Sequence, residues 1–402
     1  NPGIRAGAFI RLATVDPKRA RNALVEILND LDDPLRAALL RAGMESGDVL
    51  TRDILVADLK SATWSDQLVL LGAIQDLKLK AYERDVIALL PATKDKPRDA
   101  AIHTLAVIGG RESFEPLYEV YRDDPSEAVT FAITRLPVPS VDAELLKTVA
   151  EDSDQEVRLA AMTPLMLRNP VGAIELFNRL AGPGQPDTIR KAAYRTLESI
   201  GNVDSCNVLV ATIVQGDGWQ RLAQTSLKRL CVAAGREDDI WQGAFKPALD
   251  STVDDDAREA LLAVLDGVAC NGSLSYLKGI IADPTHTLRP AALRSLARWP
   301  QFAAGEVWLG VMVTTGALPE DIAAAKRGIL RALSQDDIVA HANLKLKLAA
   351  KAIQQARTLD FKQAVLARYD APSQYERRRM KELWKPLLAD TNIVEQVRAL
   401  MD

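Results

Sequence analysis

Aromatic residues are scarce in this chain, only 5% of 402 residues. Sheets favour aromatic and β-branched side chains, so a β-sandwich or barrel is disfavoured from the outset. Histidine is rarer still. His103, His286 and His341 stand in different regions and none is at a two-ligand spacing, which argues against a histidine-centred metal site or catalytic pair. The three cysteines, Cys206, Cys231 and Cys270, are odd in number and form no Cys-x-x-Cys motif. A disulfide scaffold is therefore excluded, and the thiols are expected to be buried as small hydrophobes. The longest apolar runs, Leu68 to Ile74 and Val307 to Val313, span about seven residues. A membrane-spanning helix needs roughly twenty. No surplus of one charge exists either. Fifty Lys and Arg face 54 Asp and Glu, a net of −4 with a pI near 5.7. No global field draws the protein to nucleic acid or to an anionic membrane.

Catalytic signatures are also missing: there is no Gly-x-Ser-x-Gly elbow and no Walker A loop. Gly182-Pro183-Gly184-Gln185-Pro186 is glycine-rich, but no strand precedes it and its prolines remove backbone donors, so it reads as an inter-helix loop. The acidic runs Asp238-Asp239 and Asp254-Asp255-Asp256 lack calcium-loop spacing and sit where helices begin. Asn271-Gly272-Ser273 is a glycosylation sequon that matters only in a glycosylating compartment. No catalytic, cofactor-binding or metal-binding residue is assigned. A chain that opens Asn1-Pro2-Gly3 without Met is expected to have lost a leader or been trimmed. The expected location is cytoplasmic by default, or extracytoplasmic after leader removal.

What the chain has in abundance is alanine, leucine and a period. Stepping forward from Arg5, similar contexts recur at Arg36, Gln67, Arg98, Val129, Arg158, Arg190, Arg221, Arg258, Arg289 and Lys326. Most steps are 31 residues, and all anchors but Gln67 and Val129 are Arg or Lys. Two positions after each anchor small residues dominate, from Gly7 and Ala38 to Ala291 and Gly328, as expected where helix backbones approach closely. Seven positions after the anchor stands Leu or Ile, except at Gly43 and Lys228; at the latter, Leu227 is expected to take the slot. Offsets of 0, +3 and +7 share one face of an α-helix, which a strand period cannot produce.

Punctuation supports the same units. Asp33-Pro34, Asp124-Pro125 and Asp283-Pro284 are expected to cap helix starts, as are Asp154 and Asp187. Gly109-Gly110, Gly201 and Gly235 follow the anchored helices. A second amphipathic stretch fills each remaining half, such as Arg19 to Leu28 or Phe114 to Tyr121. The unit is helix, turn, helix.

A turn Asp, an Arg opening the second helix, then Ala-Ala and Leu resembles the HEAT repeat of the armadillo-like helical proteins. The clearest copies are Asp154-Gln155-Glu156-Val157-Arg158-Leu159-Ala160-Ala161 and Leu288-Arg289-Pro290-Ala291-Ala292-Leu293-Arg294-Ser295-Leu296. The short unit resembles the bacterial branch, whose repeat is shared with phycobilin lyases. Ala291 to Pro300, with the helix around Ile322 to Leu333, also resembles large HEAT proteins of environmental bacteria. The resemblance covers roughly residues 2–336. It implies an all-α fold, an α-solenoid of about eleven helix-turn-helix repeats. It implies little about function, because adaptors, chaperones and rare enzymes share this fold. It also implies a structural role for the ladder Arg5, Arg36, Arg98, Arg158, Arg190, Arg221, Arg258, Arg289 and Lys326, pairing with turn Asp residues.

Beyond residue 336 the repeat fades. Residues 337–402 hold 12 Lys and Arg against 8 Asp and Glu, leaving 38 against 46 before them. Met380, Leu383, Trp384 and Leu387 form one helical stripe, and Pro386 ends that helix or opens the next. The segment is expected to be a helical cap, with Arg377, Arg378, Arg379, Lys381 and Lys385 as a candidate basic dock. The expected function is a non-catalytic scaffold for protein or peptide partners, without nucleic acid. A lyase-like or ligand-handling protein and a nucleic-acid-binding helical repeat are the alternatives.

Overall fold

Helix follows helix through the described residues of the computed structural model, and no strand occurs among them. The structure describes residues 2–28, 33–57, 59–91, 96–314, 317–334, 342–369 and 373–402; the side chains of 2, 3, 5, 6, 25–28 and 33–35 are outside the description. The chain divides into two compact units, residues 1–196 and 197–402.

In the first unit the anchored helices pack in file. Pro2–Val15 touches Asp33–Glu45, which touches Trp64–Asp76, then Lys96–Ile108, Glu127–Arg135 and Gln155–Arg168. The helices between them, such as Val49–Ala57, Phe114–Asp123 and Pro139–Glu151, each pack on the anchored helix that follows or precedes. The second unit repeats this sequential pairing. Val203–Gln215 packs on Gln220–Ala234, Asn271–Ala282 on Arg289–Ala297, and Ala304–Val313 on Pro319–Leu333. This is an all-α architecture of sequential neighbours, consistent with a helical repeat.

The anchor register explains the core. Positions three and seven after the anchor point inward: Ala101 and Leu105, Ala132 and Leu136, Ala161 and Leu165, Ala193 and Leu197 are all at most 1% exposed. Each such leucine contributes roughly 2 kcal/mol by leaving water. Gly43, which breaks the Leu pattern, lies where the side chains of Leu24 and Leu55 crowd in. At Lys228 the neighbouring Leu227 is fully buried in its place.

Position +2 differs from expectation. Gly328 does lie against the Trp308 ring, with no room for a Cβ. Gly7, however, faces open space and Phe131 is 44% exposed. The position sits at the edge of the buried stripe, so it faces a neighbour in some repeats and solvent in others.

The caps also divide. Asp154 accepts from the backbone N–H of Glu156 (2.8 Å), and Asp254 from that of Ala257 (3.1 Å). Asp283 instead closes a turn on Thr285, and Asp124 ends the preceding helix. In these two Asp-Pro pairs the proline precedes the helix, which starts later, at Glu127 and Arg289, whereas at Asp33-Pro34 the helix starts at Asp33. Asp187 is the first residue of its helix, and Asp33 is outside the described side chains.

After residue 342 helices continue within the second unit. Ala342–Gln355 packs on Ala304–Val313 and on Pro319–Leu333, and Gln374–Leu383 packs on Ala342–Gln355. No helix among the described residues is long and apolar enough to cross a membrane.

Candidate functional site

The ladder residues all stand in helices, but their side chains do different things. The commonest use is at the end of the preceding helix. Arg158 donates from Nε to the carbonyl of Val149 (2.9 Å), Arg190 to that of Ala181 (3.0 Å), and Arg289 to that of Ile281 (3.2 Å). Gln67 reaches the carbonyl of Leu59 (3.1 Å), in the turn beyond Val49–Ala57, at the same spacing, which explains why a neutral amide is tolerated in the ladder. The last carbonyls of a helix lack intrahelical partners and carry the negative end of its dipole, so a donor eight or nine residues on satisfies them.

A second use bridges successive anchored helices. Arg36 donates from Nε to both oxygens of Asp66 (3.0 and 2.8 Å), and Arg289 Nη1 donates to Asp321. Both carboxylates lie in the first turn of the next anchored helix. Arg258 lies 3.7 Å from Asp255, and Lys326 donates to Thr358 (3.1 Å) with its ammonium over Phe361. Arg98 is half-buried and Arg221 is exposed on its helix. The Arg5 side chain is outside the described residues.

A set of arginines with no place in the ladder does comparable structural work. Arg168, only 9% exposed, donates to Asp142 and to the carbonyls of Ile133 (3.1 Å), Thr134 (3.2 Å) and Leu136 (2.8 Å). Arg298 donates to the carbonyl of Ala263 (2.7 Å), and Arg331 to that of Ala297. Each stands 32 to 35 residues after the carbonyls named here, and that spacing was a signal present in the sequence.

The tail arginines separate too. Met380 and Trp384 are fully buried, Leu383 is half-buried, and the Trp384 indole donates to the carbonyl of Leu346 (2.9 Å). Pro386 opens a short 3₁₀ turn, Lys385–Ala389. Arg379 donates to Asn343 (2.7 Å) and to Glu382, so it braces the helix Ala342–Gln355. Arg377 is half-buried, while Arg378, Lys381 and Lys385 are exposed. Those three remain available to a partner.

His103 is exposed on its helix, and His286 accepts at Nδ1 from the backbone N–H of Leu288 (3.1 Å), a turn-closing role. His341 lies outside the described residues. The three cysteines are free and buried. Contact with Cys206, added to burial, pushes the Cys231 thiol far up. Among the described residues no group of three or more His, Cys, Asp or Glu is placed to hold a metal ion. Ser273 of the sequon is fully buried, and its hydroxyl donates to the carbonyl of Val268 (2.5 Å).

Among the concavities of the described residues, two are prominent. One, about 400 Å³, is walled by Glu119, Arg122, Asp123, Asp154 and Glu156 in the first unit. The other, about 570 Å³, lies in the second unit between Gln220–Ala234 and the residues after Asp255–Leu262. Its walls are Val232, Ala233, Ala263 and Val264, with Lys228 and Arg229 beside them. Sequence reasoning named neither. Compared with known proteins, the chain matches no family model, and no curated protein shows significant sequence similarity to it.

Proposed function

We propose that the chain is a non-catalytic binding scaffold whose helix pairs are HEAT-type repeats, stacked within each unit as an α-solenoid. The basic ladder belongs to the scaffold, and the binding surface belongs to side chains that the anchored helices leave outward. One observation carries the reading. Three successive touching helices of the first unit expose large apolar groups, Val107 (40%), Phe131 (44%) and Leu167 (55%), although the inward registers of the same helices are already filled. An apolar side chain held outward on a rigid, repeating support suits association with another protein more than it suits folding.

The test is cross-linking of the full chain to proteins of its native cell, followed by mass spectrometry of the linked peptides. Reproducible partners linked near helices Lys96–Ile108 to Gln155–Arg168, and lost in Phe131→Glu, support the scaffold. A chain that forms no specific cross-link at any concentration overturns it.

A further inference from the structure

Lys228 is the charged exception in the buried Leu register, and it is held in place from both sides. Gly267 passes so close that a Cβ there would stand 3.2 Å from Lys228 Cγ and 3.4 Å from its Cα. The Lys228 ammonium donates to Asp266, whose side chain is only 4% exposed. Arg298 approaches the same carboxylate at 3.5 Å and donates to the carbonyl of Ala263, which itself lines the apolar groove. On the other side, Arg229 is held by Glu198 (2.9 Å), a carboxylate only 14% exposed.

The result is an asymmetry between formal and presented charge. The carboxylates Asp266 and Glu198 are shielded, whereas Lys228, Arg229 and Arg298 are 43%, 65% and 43% exposed. A molecule arriving at the groove meets Lys228 and Arg229 in its lining, with Arg298 beside it, bonded to the carbonyl of the lining residue Ala263. Val232, 69% exposed, stands in that wall without a neighbour to cover it. Guanidinium groups held by a buried carboxylate on one edge keep other N–H donors for a second carboxylate, and their ordering cost has been met in advance.

Resting on the scaffold reading, we infer that this groove docks a short acidic segment of a partner protein, one apolar side chain entering between Val232 and Val264 and flanking Asp or Glu carboxylates meeting Arg229 and Arg298. The charge complementarity and the apolar walls select this occupant together. A nucleic-acid strand would want aromatic platforms for its bases, and the groove has none.

The experiment is selection of random short peptides, displayed on phage, against the full chain, with binding of the selected peptides then measured by fluorescence anisotropy. The expected peptides share an apolar residue next to Asp or Glu. Their affinity falls about tenfold or more in Val232→Glu and in the pair Arg229→Ala and Arg298→Ala, and it falls as salt rises. Val232→Glu is a surface change and should melt like the wild type, which separates binding from folding. Peptides that bind wild type and Val232→Glu equally overturn the groove assignment while leaving the scaffold reading intact. Basic peptides, no enriched peptides, or Val232-sensitive binding of a single-stranded oligonucleotide or of phosphatidylserine vesicles in place of peptides would also overturn it. The scaffold reading fails separately, on the cross-linking result.

Discussion

Arg168 and Leu136 sit one repeat apart, and the Arg168 guanidinium donates to the Leu136 carbonyl at 2.8 Å. Leu136 ends the helix Glu127–Arg135, and the same guanidinium serves the carbonyls of Ile133 and Thr134 and the carboxylate of Asp142. One planar fork thus ties a helix end to two neighbouring helices. Arg168→Ala should cost about 3–5 kcal/mol, because it strands a carboxylate and several carbonyls at once. Arg168→Lys should rescue little, since an ammonium cannot span that fan of acceptors. Urea unfolding with hydrogen exchange over residues 127–168 checks both.

The ladder should be uneven in energy. Arg190 is 5% exposed and bonded to the Ala181 carbonyl, so Arg190→Ala should cost about 1–3 kcal/mol. Arg221 is exposed on its helix, and Arg221→Ala should change stability by less than about 0.5 kcal/mol. Equal effects at the two positions would contradict the helix-end role.

In the tail, packing and charge separate cleanly. Trp384→Ala removes a fully buried ring, its edge contact with Tyr369 and its bond to Leu346, and should cost about 3–5 kcal/mol. Changing Arg378, Lys381 and Lys385 together to Ser should leave thermal stability unchanged. If that triple variant also keeps every partner of the wild type, the exposed basic face of the tail is not a dock.

One carboxylate gives a pH prediction with a definite sign. A hydrogen bond from Lys362, with one from the backbone N–H of Asn392, holds Asp390 below the ordinary carboxylate range. Its stabilising contribution is therefore present above the unfolded carboxylate pKa and lost as pH falls through the folded value. The melting temperatures of wild type and Asp390→Asn should differ at neutral pH and converge in acid.

The thiols should be silent in the native state. All three are buried, and Cys231 is pushed away from its reactive thiolate by Cys206 and by burial. A disulfide-exchange reagent should react at the rate of unfolding, and fast reaction at Cys206 or Cys231 would show that the pair Val203–Gln215 and Gln220–Ala234 opens.

The repeat was legible because helical periodicity is a local property. A leucine seven residues after an arginine announces a shared face wherever the helix ends up, and Leu105, Leu165 and Leu197 are buried accordingly. Caps were legible only in part. The same residue type makes a cap at Asp154 and a turn at Asp283, and what separates them is the proline: Pro284 follows Asp283 directly, whereas Gln155 follows Asp154.

The sequence by itself determined the helices, their inward face and the sequential order in which they could pack, since period and punctuation depend on near neighbours along the chain. Only the tertiary structure decided which charges became structural and which stayed outward. Arg158 and Arg221 occupy the same register, yet one meets a helix end and the other solvent. Lys228 looked like a flaw in a leucine pattern until Asp266 and Arg298 were brought beside it. The physical reason is that a side chain's partner depends on distances across helices, set by packing 30 to 38 residues away, whereas its face depends only on the turn it belongs to.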